Sequence, residues 1–188
     1  MYSKNKAPYE YNSQDNRYLE TAIHKMARGD RDALAALYER THTAIYAFIL
    51  SILKDKHRAD DVFQDVYLKV YENAASYQVK GKPMAWMITI AKNQCLMQLR
   101  KVKAEDSLED VEELWTTNPD VEERILLEAA FKQISDEERN IIVLHVLSGL
   151  KHREIAQILE LPLPTVLSKY HRTIKKLKGL LEENLNER

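Results

Sequence analysis

Residues 151–178 hold the densest set of side chains able to act on another molecule. Thr165, Ser168, Lys169, His171, Arg172, Lys175 and Lys176 share one side of a helical repeat, opposite Val166, Tyr170, Ile174, Leu177 and Leu181. Small polar groups suit base edges in a major groove, cations suit phosphates, and an apolar back packs the helix onto its own domain. A first helix, Lys151 to Leu159, would bury Ile155, Ala156 and Leu159. Four residues, Glu160 to Leu163, then lead to Pro164 at the start of the second helix, where its missing N–H costs nothing. A solvated amphipathic helix explains the cations but not the short turn and the helix before it. About five cations near phosphates would give a log-log salt slope of about −4.

Two more clusters lie upstream. On a helix from about Ala59 to Tyr71, Val62, Phe63, Val66, Tyr67 and Val70 form one face, while Asp61, Gln64, Asp65 and Lys69 project elsewhere. An exposed acid–amide–acid group can pair with arginines and donors on a basic partner, or can be an ordinary solvated face. On a helix from about Met84 to Lys103, Trp86 and Asn93 lie two turns apart on the same side. An indole can stack on an unpaired base and an amide can bond its edge; Trp86 suits the core equally well. Lys92, Arg100, Lys101 and Lys103 suit phosphates.

Catalytic chemistry finds no support. His24, His42, His57, His145, His152 and His171 have no metal-ligand spacing with one another or with Cys95. No phosphate-cradling glycine loop or nucleophile motif occurs, so no cofactor, no metal and no enzyme activity are expected. One cysteine excludes an internal disulfide, and its apolar neighbours assign it to packing.

The elements that must carry these groups are helical. Only 4 Gly and 5 Pro occur in 188 residues, and no hairpin signal appears, so the expected class is all-α, in two small domains. Residues 1–18 read as a flexible tail. Gly29-Asp30 reads as a helix stop and a new N-cap, before a buried stripe of Leu34, Leu37, Tyr38, Ile45, Phe48, Ile49 and Ile52. A break is expected over Lys54–Arg58 and a loop over Ser76–Pro83, with Pro83 in the first turn of the next helix. Ser135 and Glu138 form a capping-box signature.

Net charge is −1, but it is unevenly spread. Residues 1–104 carry +6, residues 105–123 carry nine acids and no base, and residues 124–188 carry +2. The division expected is 1–18 tail, 19–104 first domain, 105–120 acidic linker and 121–188 second domain. Val111, Leu114 and Trp115 could add a short helical stripe inside the acidic stretch. Self-repulsion would extend the linker to at most about 60 Å. Apolar runs are too short to span a membrane and no signal-peptide core is present, so a cytoplasmic protein without membrane insertion is expected.

Three segments in this order resemble the extracytoplasmic-function class of sigma factors over about residues 19–103 and 121–182. RADDVFQDVYLKVY (58–71) is similar to the segment that docks on the β′ clamp helices of core RNA polymerase. KPMAWMITIAKNQCLMQLRK (82–101) resembles the −10-element helix, and LSGLKHREIAQILELPLPTVLSKYHRTIKKL (147–177) the −35-element domain.

The resemblance implies polymerase binding by Asp61, Gln64 and Asp65. It implies −10 contacts by Trp86, Asn93, Lys92, Arg100 and Lys101, with Tyr77, Lys80 and Lys82 in a loop that pockets a flipped base. It implies −35 contacts by Thr165, Ser168, Lys169, His171, Arg172, Lys175 and Lys176. Pro164, Leu167 and Lys169 depart from the common Gly, basic residue and Arg, which implies altered or weaker upstream readout. In the −10 helix Met97 stands where Asp is frequent, which implies a changed local network there but not a changed fold. The expected partners are core RNA polymerase (β′ clamp helices, β flap), promoter DNA and an anti-sigma factor. The linker would thread near the RNA exit path or act as a plain tether. The rival is a stand-alone helix-turn-helix regulator, which should bind its operator without polymerase.

Overall fold

A computed structural model describes residues 13–105 and 131–186. The acidic stretch, with the expected stripe of Val111, Leu114 and Trp115, lies outside the described residues apart from Glu105. Among the described residues every regular element is a helix.

Helix α1 spans Ser13–Ala27, so it opens inside the segment expected to be a tail. Asp15 in its first turn and His24 and Lys25 in its last complement the helix dipole. The Arg40 guanidinium lies 4.0 Å from the centre of the Tyr18 ring and 3.5 Å from Asp15, which ties this first turn to the next helix. Gly29 then turns the chain at φ +90°, and Asp30 accepts the N–H groups of Asp32 and Ala33, as the stop-and-cap reading requires.

Helix α2 (Asp32–Leu53) is the central element, packed against α1 and the two helices that follow. Leu37, Ile45, Phe48 and Ile49 are fully buried along it. Tyr38 departs from the expected stripe: it is 42% exposed and stacks on His42 at 5.1 Å. The break before α3 (Lys56–Glu72) shrinks to Lys54-Asp55. Lys54 adopts the left-handed conformation, and the Asp55 side chain accepts the Arg58 N–H, so one residue ends a helix and the next caps another. A 3₁₀ turn, Ala74–Ser76, leads through a loop to α4 (Pro83–Glu105), which starts at the proline.

Helix α5 (Asp136–Val146) opens on the expected capping box of Ser135 and Glu138. Ile141, Ile142, Val143 and Leu144 are all buried, because α5 packs on α2 on one side and on α6 (His152–Leu159) and α7 (Leu163–Asn186) on the other. Glu160, at φ +59°, turns the chain between α6 and α7. Helix α7 begins one residue before the expected Pro164. The same hydrophobic core runs through both halves, and α6 also lies on α4.

Candidate nucleic-acid interface

The α3 periodicity works as read. Val62, Val66, Tyr67 and Val70 are buried and Phe63 is half-buried, while Asp61, Gln64 and Asp65 are exposed. The stripe extends further: Leu68, one turn beyond Gln64 and Asp65, is 60% exposed. Sequence reasoning passed over Leu68, although an apolar residue at the i+7 position of a polar face was the available signal. Deeper in α3, Tyr46 of α2 donates to Asp60 at 2.8 Å. Burial, followed by that carboxylate, pushes the phenol up to about 12.

Six of the residues expected at the −10 face come together. Tyr77, Lys80, Lys82, Trp86, Lys92 and Asn93 line a cavity of about 430 Å³, with Ser76, Gln78 and Thr89. The opposite wall is α6, through Glu154, Gln157, Ile158 and Glu160. Arg100 and Lys101 are exposed further along α4 and do not line it. Trp86 is half-buried and packed on the core, and its ring lies 5.0 Å from Tyr77, so it serves packing and the cavity at once. Tyr77, expected in the loop that pockets a base, is 9% exposed, and its hydroxyl donates to Glu20 at 2.9 Å.

Two cations of this face are engaged by α6. Lys92 Nζ donates to Ile158 O and Glu160 Oε1, both at 2.6 Å, and Lys82 Nζ lies 3.4 Å from Glu154. The Glu160 carboxyl is held below its ordinary value by the Lys92 ammonium. Cys95, fully buried in α4, has its thiol pushed up to about 12 by burial, as a packing cysteine should.

On α7 the expected surface divides. Ser168, His171 and Lys175 are exposed, and Thr165 is half-buried with its carbonyl accepting the Ser168 hydroxyl. Lys169 pairs with Glu137 at 2.8 Å, Arg172 with Glu138 at 2.9 Å, and Lys176 donates to Gln133 O. These three turn toward α5 and the residues just before it instead of standing clear. Behind α7, His145 and His152 stack at 4.3 Å against Tyr170. Burial, then His145 and His171, hold the His152 imidazole below its ordinary pKa.

Comparison with known proteins agrees with this arrangement. A family model of sigma-70 region 2 matches residues 37–105, and one of sigma-70 region 4 matches residues 124–177. The ECF RNA polymerase sigma factor SigK of Mycobacterium sp. (strain KMS) is 30% identical over 174 residues, covering 87% of this chain and 90% of that protein. SigK of Mycobacterium ulcerans is 27% identical over 177 residues, covering 87% and 94%. Among solved structures, the sigma factor RpoE of Bartonella quintana, in complex with the anti-sigma factor NepR, superposes with a TM-score of 0.61 at 25% identity, covering 74% of this chain and 91% of that one. CnrH, in complex with the cytosolic domain of CnrY, gives 0.61 at 20% identity, covering 88% and 98%. With a helix-turn-helix in α6 and α7, both sigma-70 region models matched, and relatives matched over nearly their whole length, the chain belongs to the extracytoplasmic-function sigma factors, which bring RNA polymerase to promoters for transcription initiation.

Proposed function

We propose a division of labour among the residues of this sigma factor. Asp61, Gln64 and Asp65 bind core RNA polymerase at the β′ clamp helices, with Leu68 extending the contact. Trp86 and Asn93, with Tyr77, Lys80, Lys82, Lys92, Arg100 and Lys101, meet the −10 element. Thr165, Ser168, Lys169, His171, Arg172, Lys175 and Lys176 meet the −35 element. The functional units follow the expected blocks, 19–104 and 121–188, joined by 105–120, with α1 added to the first from Ser13. Capturing unpaired bases costs a few kcal/mol of unstacking, which stacking on one aromatic surface offsets. The protein favours the open promoter by binding alone, and the polymerase performs the bond chemistry.

The observation that carries this reading is the exposed Asp61–Gln64–Asp65–Leu68 stripe, opposite the buried face of α3. An acidic stripe with an apolar end suits a basic coiled coil better than it suits solvent. The family likeness to a sigma factor solved with its anti-sigma factor supports a similar inhibitory partner here. No helix among the described residues is long and apolar enough to cross a membrane, which with the single buried thiol supports a cytoplasmic protein.

The test is binding of the purified chain to core RNA polymerase, beside a variant with Asp61, Gln64 and Asp65 all changed to Ala. Stoichiometric binding by the parent, weakened at least about tenfold in the folded variant, is the expected result. Operator-type binding of duplex DNA by the chain alone, with no affinity for polymerase, would give the role to a stand-alone regulator instead.

A further inference from the structure

The loop between the 3₁₀ turn and α4 leaves its tip in solvent: Gln78, Val79 and Lys80 are exposed, Val79 by 61%. Six residues without secondary structure would ordinarily sample many shapes. Here both ends converge on one atom. Glu20 Oε1 accepts the Tyr77 hydroxyl at 2.9 Å and the Gly81 N–H at 2.9 Å.

The Tyr77 ring is fixed independently by its edge contact with His24 at 6.4 Å and its tilt against Trp86 at 5.0 Å. Gly81 sits at φ +66° with open space where a Cβ would stand, so its glycine answers to backbone conformation and not to crowding. Burial and the Glu20 carboxylate both push the Tyr77 phenol up, which keeps it a donor at every working pH. One carboxylate on α1 therefore clasps a loop 57 positions away, and its two acceptor lone pairs match the two donors.

We infer that Glu20 is a positioning residue for promoter opening: through Tyr77 and Gly81 it holds the 77–81 loop in the shape that presents Gln78, Val79 and Lys80 to an unpaired base beside Trp86. This rests on the sigma-factor reading and deepens it. A loop ordered during folding does not lose that freedom again when it captures a base, so the clasp raises the affinity for the open strand without touching it. Duplex contacts by α7 and polymerase contacts by α3 are made elsewhere and gain nothing from it.

The experiment uses holoenzyme assembled from core RNA polymerase and the full chain, on a promoter first mapped by run-off transcription. Open complex is read by permanganate oxidation of unpaired thymines, and polymerase affinity and thermal stability are recorded in parallel. Glu20→Ala and Tyr77→Phe are expected to lower the open-complex fraction about tenfold, the loss of bonds to a charged acceptor, with polymerase affinity unchanged. Glu20→Gln keeps a carbonyl acceptor and should retain most of the opening. Full opening by both Glu20→Ala and Tyr77→Phe would overturn the inference, and so would equal losses of polymerase binding and opening, the mark of a merely structural residue. A wild-type chain that does not bind core polymerase would overturn the underlying reading, a separate failure visible in the parallel measurement.

Discussion

The ammonium of Lys92 in α4 closes the C-terminal end of α6, 2.6 Å from Ile158 O and 2.6 Å from Glu160 Oε1. A cation there meets the negative end of the α6 dipole as well as a carboxylate. Its side chain is only 17% exposed, so this cation of the proposed −10 face is occupied by the domain proposed to read the −35 element. Elements about 25 base pairs apart lie about 85 Å apart along a duplex, and surfaces in mutual contact cannot reach both. If the proposed assignments hold, the α4–α6 seam must part on a promoter. Lys92→Glu should open it in the free chain by about fivefold in the open-to-closed ratio, and Lys92→Glu with Glu160→Lys should close it again. Spin labels at Thr43 and Arg153 report the distance, and buried Cys95 stays unlabelled.

The other half of the seam is held by a neutral contact. Ser51 Oγ, in a fully buried residue of α2, lies 2.7 Å from Phe48 O and 2.7 Å from the Asn140 side chain of α5. One hydroxyl proton cannot serve two acceptors. Both contacts are satisfied when the Asn140 amide turns its NH₂ toward Oγ and the hydroxyl donates to Phe48 O. Ser51→Ala and Asn140→Ala should each cost about 1 kcal/mol of stability, and the double variant less than their sum. A urea-unfolding double-mutant cycle measures that coupling; strict additivity would remove the bond from the seam.

What could be read from the chain was local. The Ser135–Glu138 box, Pro83 at the head of α4 and the exposed Asp61–Gln64–Asp65 face each depend on residues three or four positions apart, or on one residue's own backbone, and each is found. What escaped was set by distant residues. Tyr77 reads as a loop side chain until Glu20, 57 positions away, takes its hydroxyl. Tyr38 keeps the apolar period, yet α3 covers only part of its ring, through Phe63 and Tyr67, and the rest stays out on His42. Lys169 and Arg172 read as outward cations because their spacing cannot reveal that Glu137 and Glu138 of α5 stand beside them. Helix α1 begins early because its first turn is held by Arg40, which no local pattern announces.

Glu138 makes the C-terminal helices sensitive to acid. Partial burial works to raise its carboxyl, but the Arg172 guanidinium and the N–H and hydroxyl of Ser135 outweigh it and hold the pKa at about 2 against an ordinary 4.5. A carboxylate depressed in the folded state stabilises that state above its unfolded pKa, and the contribution is lost as pH falls from about 4.5 toward about 2. Because Arg172 is 67% exposed, its share is screened, and the whole effect is on the order of 1–2 kcal/mol. Glu138→Gln should flatten that limb of the pH–stability curve. Hydrogen exchange of α5 amides at about pH 6 and about pH 3 measures it.

The two kinds of cation on α7 should behave differently toward DNA. Lys175 is exposed, whereas Lys169 is 22% exposed and paired with Glu137 at 2.8 Å. A lysine that neutralises a phosphate releases condensed counterions, and its removal lowers the log-log salt slope by about 0.9. A lysine already neutralised by a carboxylate must first give up that partner, so its net release is smaller. Lys175→Ala should therefore reduce the slope of holoenzyme binding to duplex −35 DNA by nearly one unit, and Lys169→Ala by clearly less. Glu137→Gln, which frees Lys169, should move the slope the other way. Equal losses from Lys175→Ala and Lys169→Ala would mean that the Glu137 pair breaks on DNA and that α7 presents its whole basic row to the phosphates.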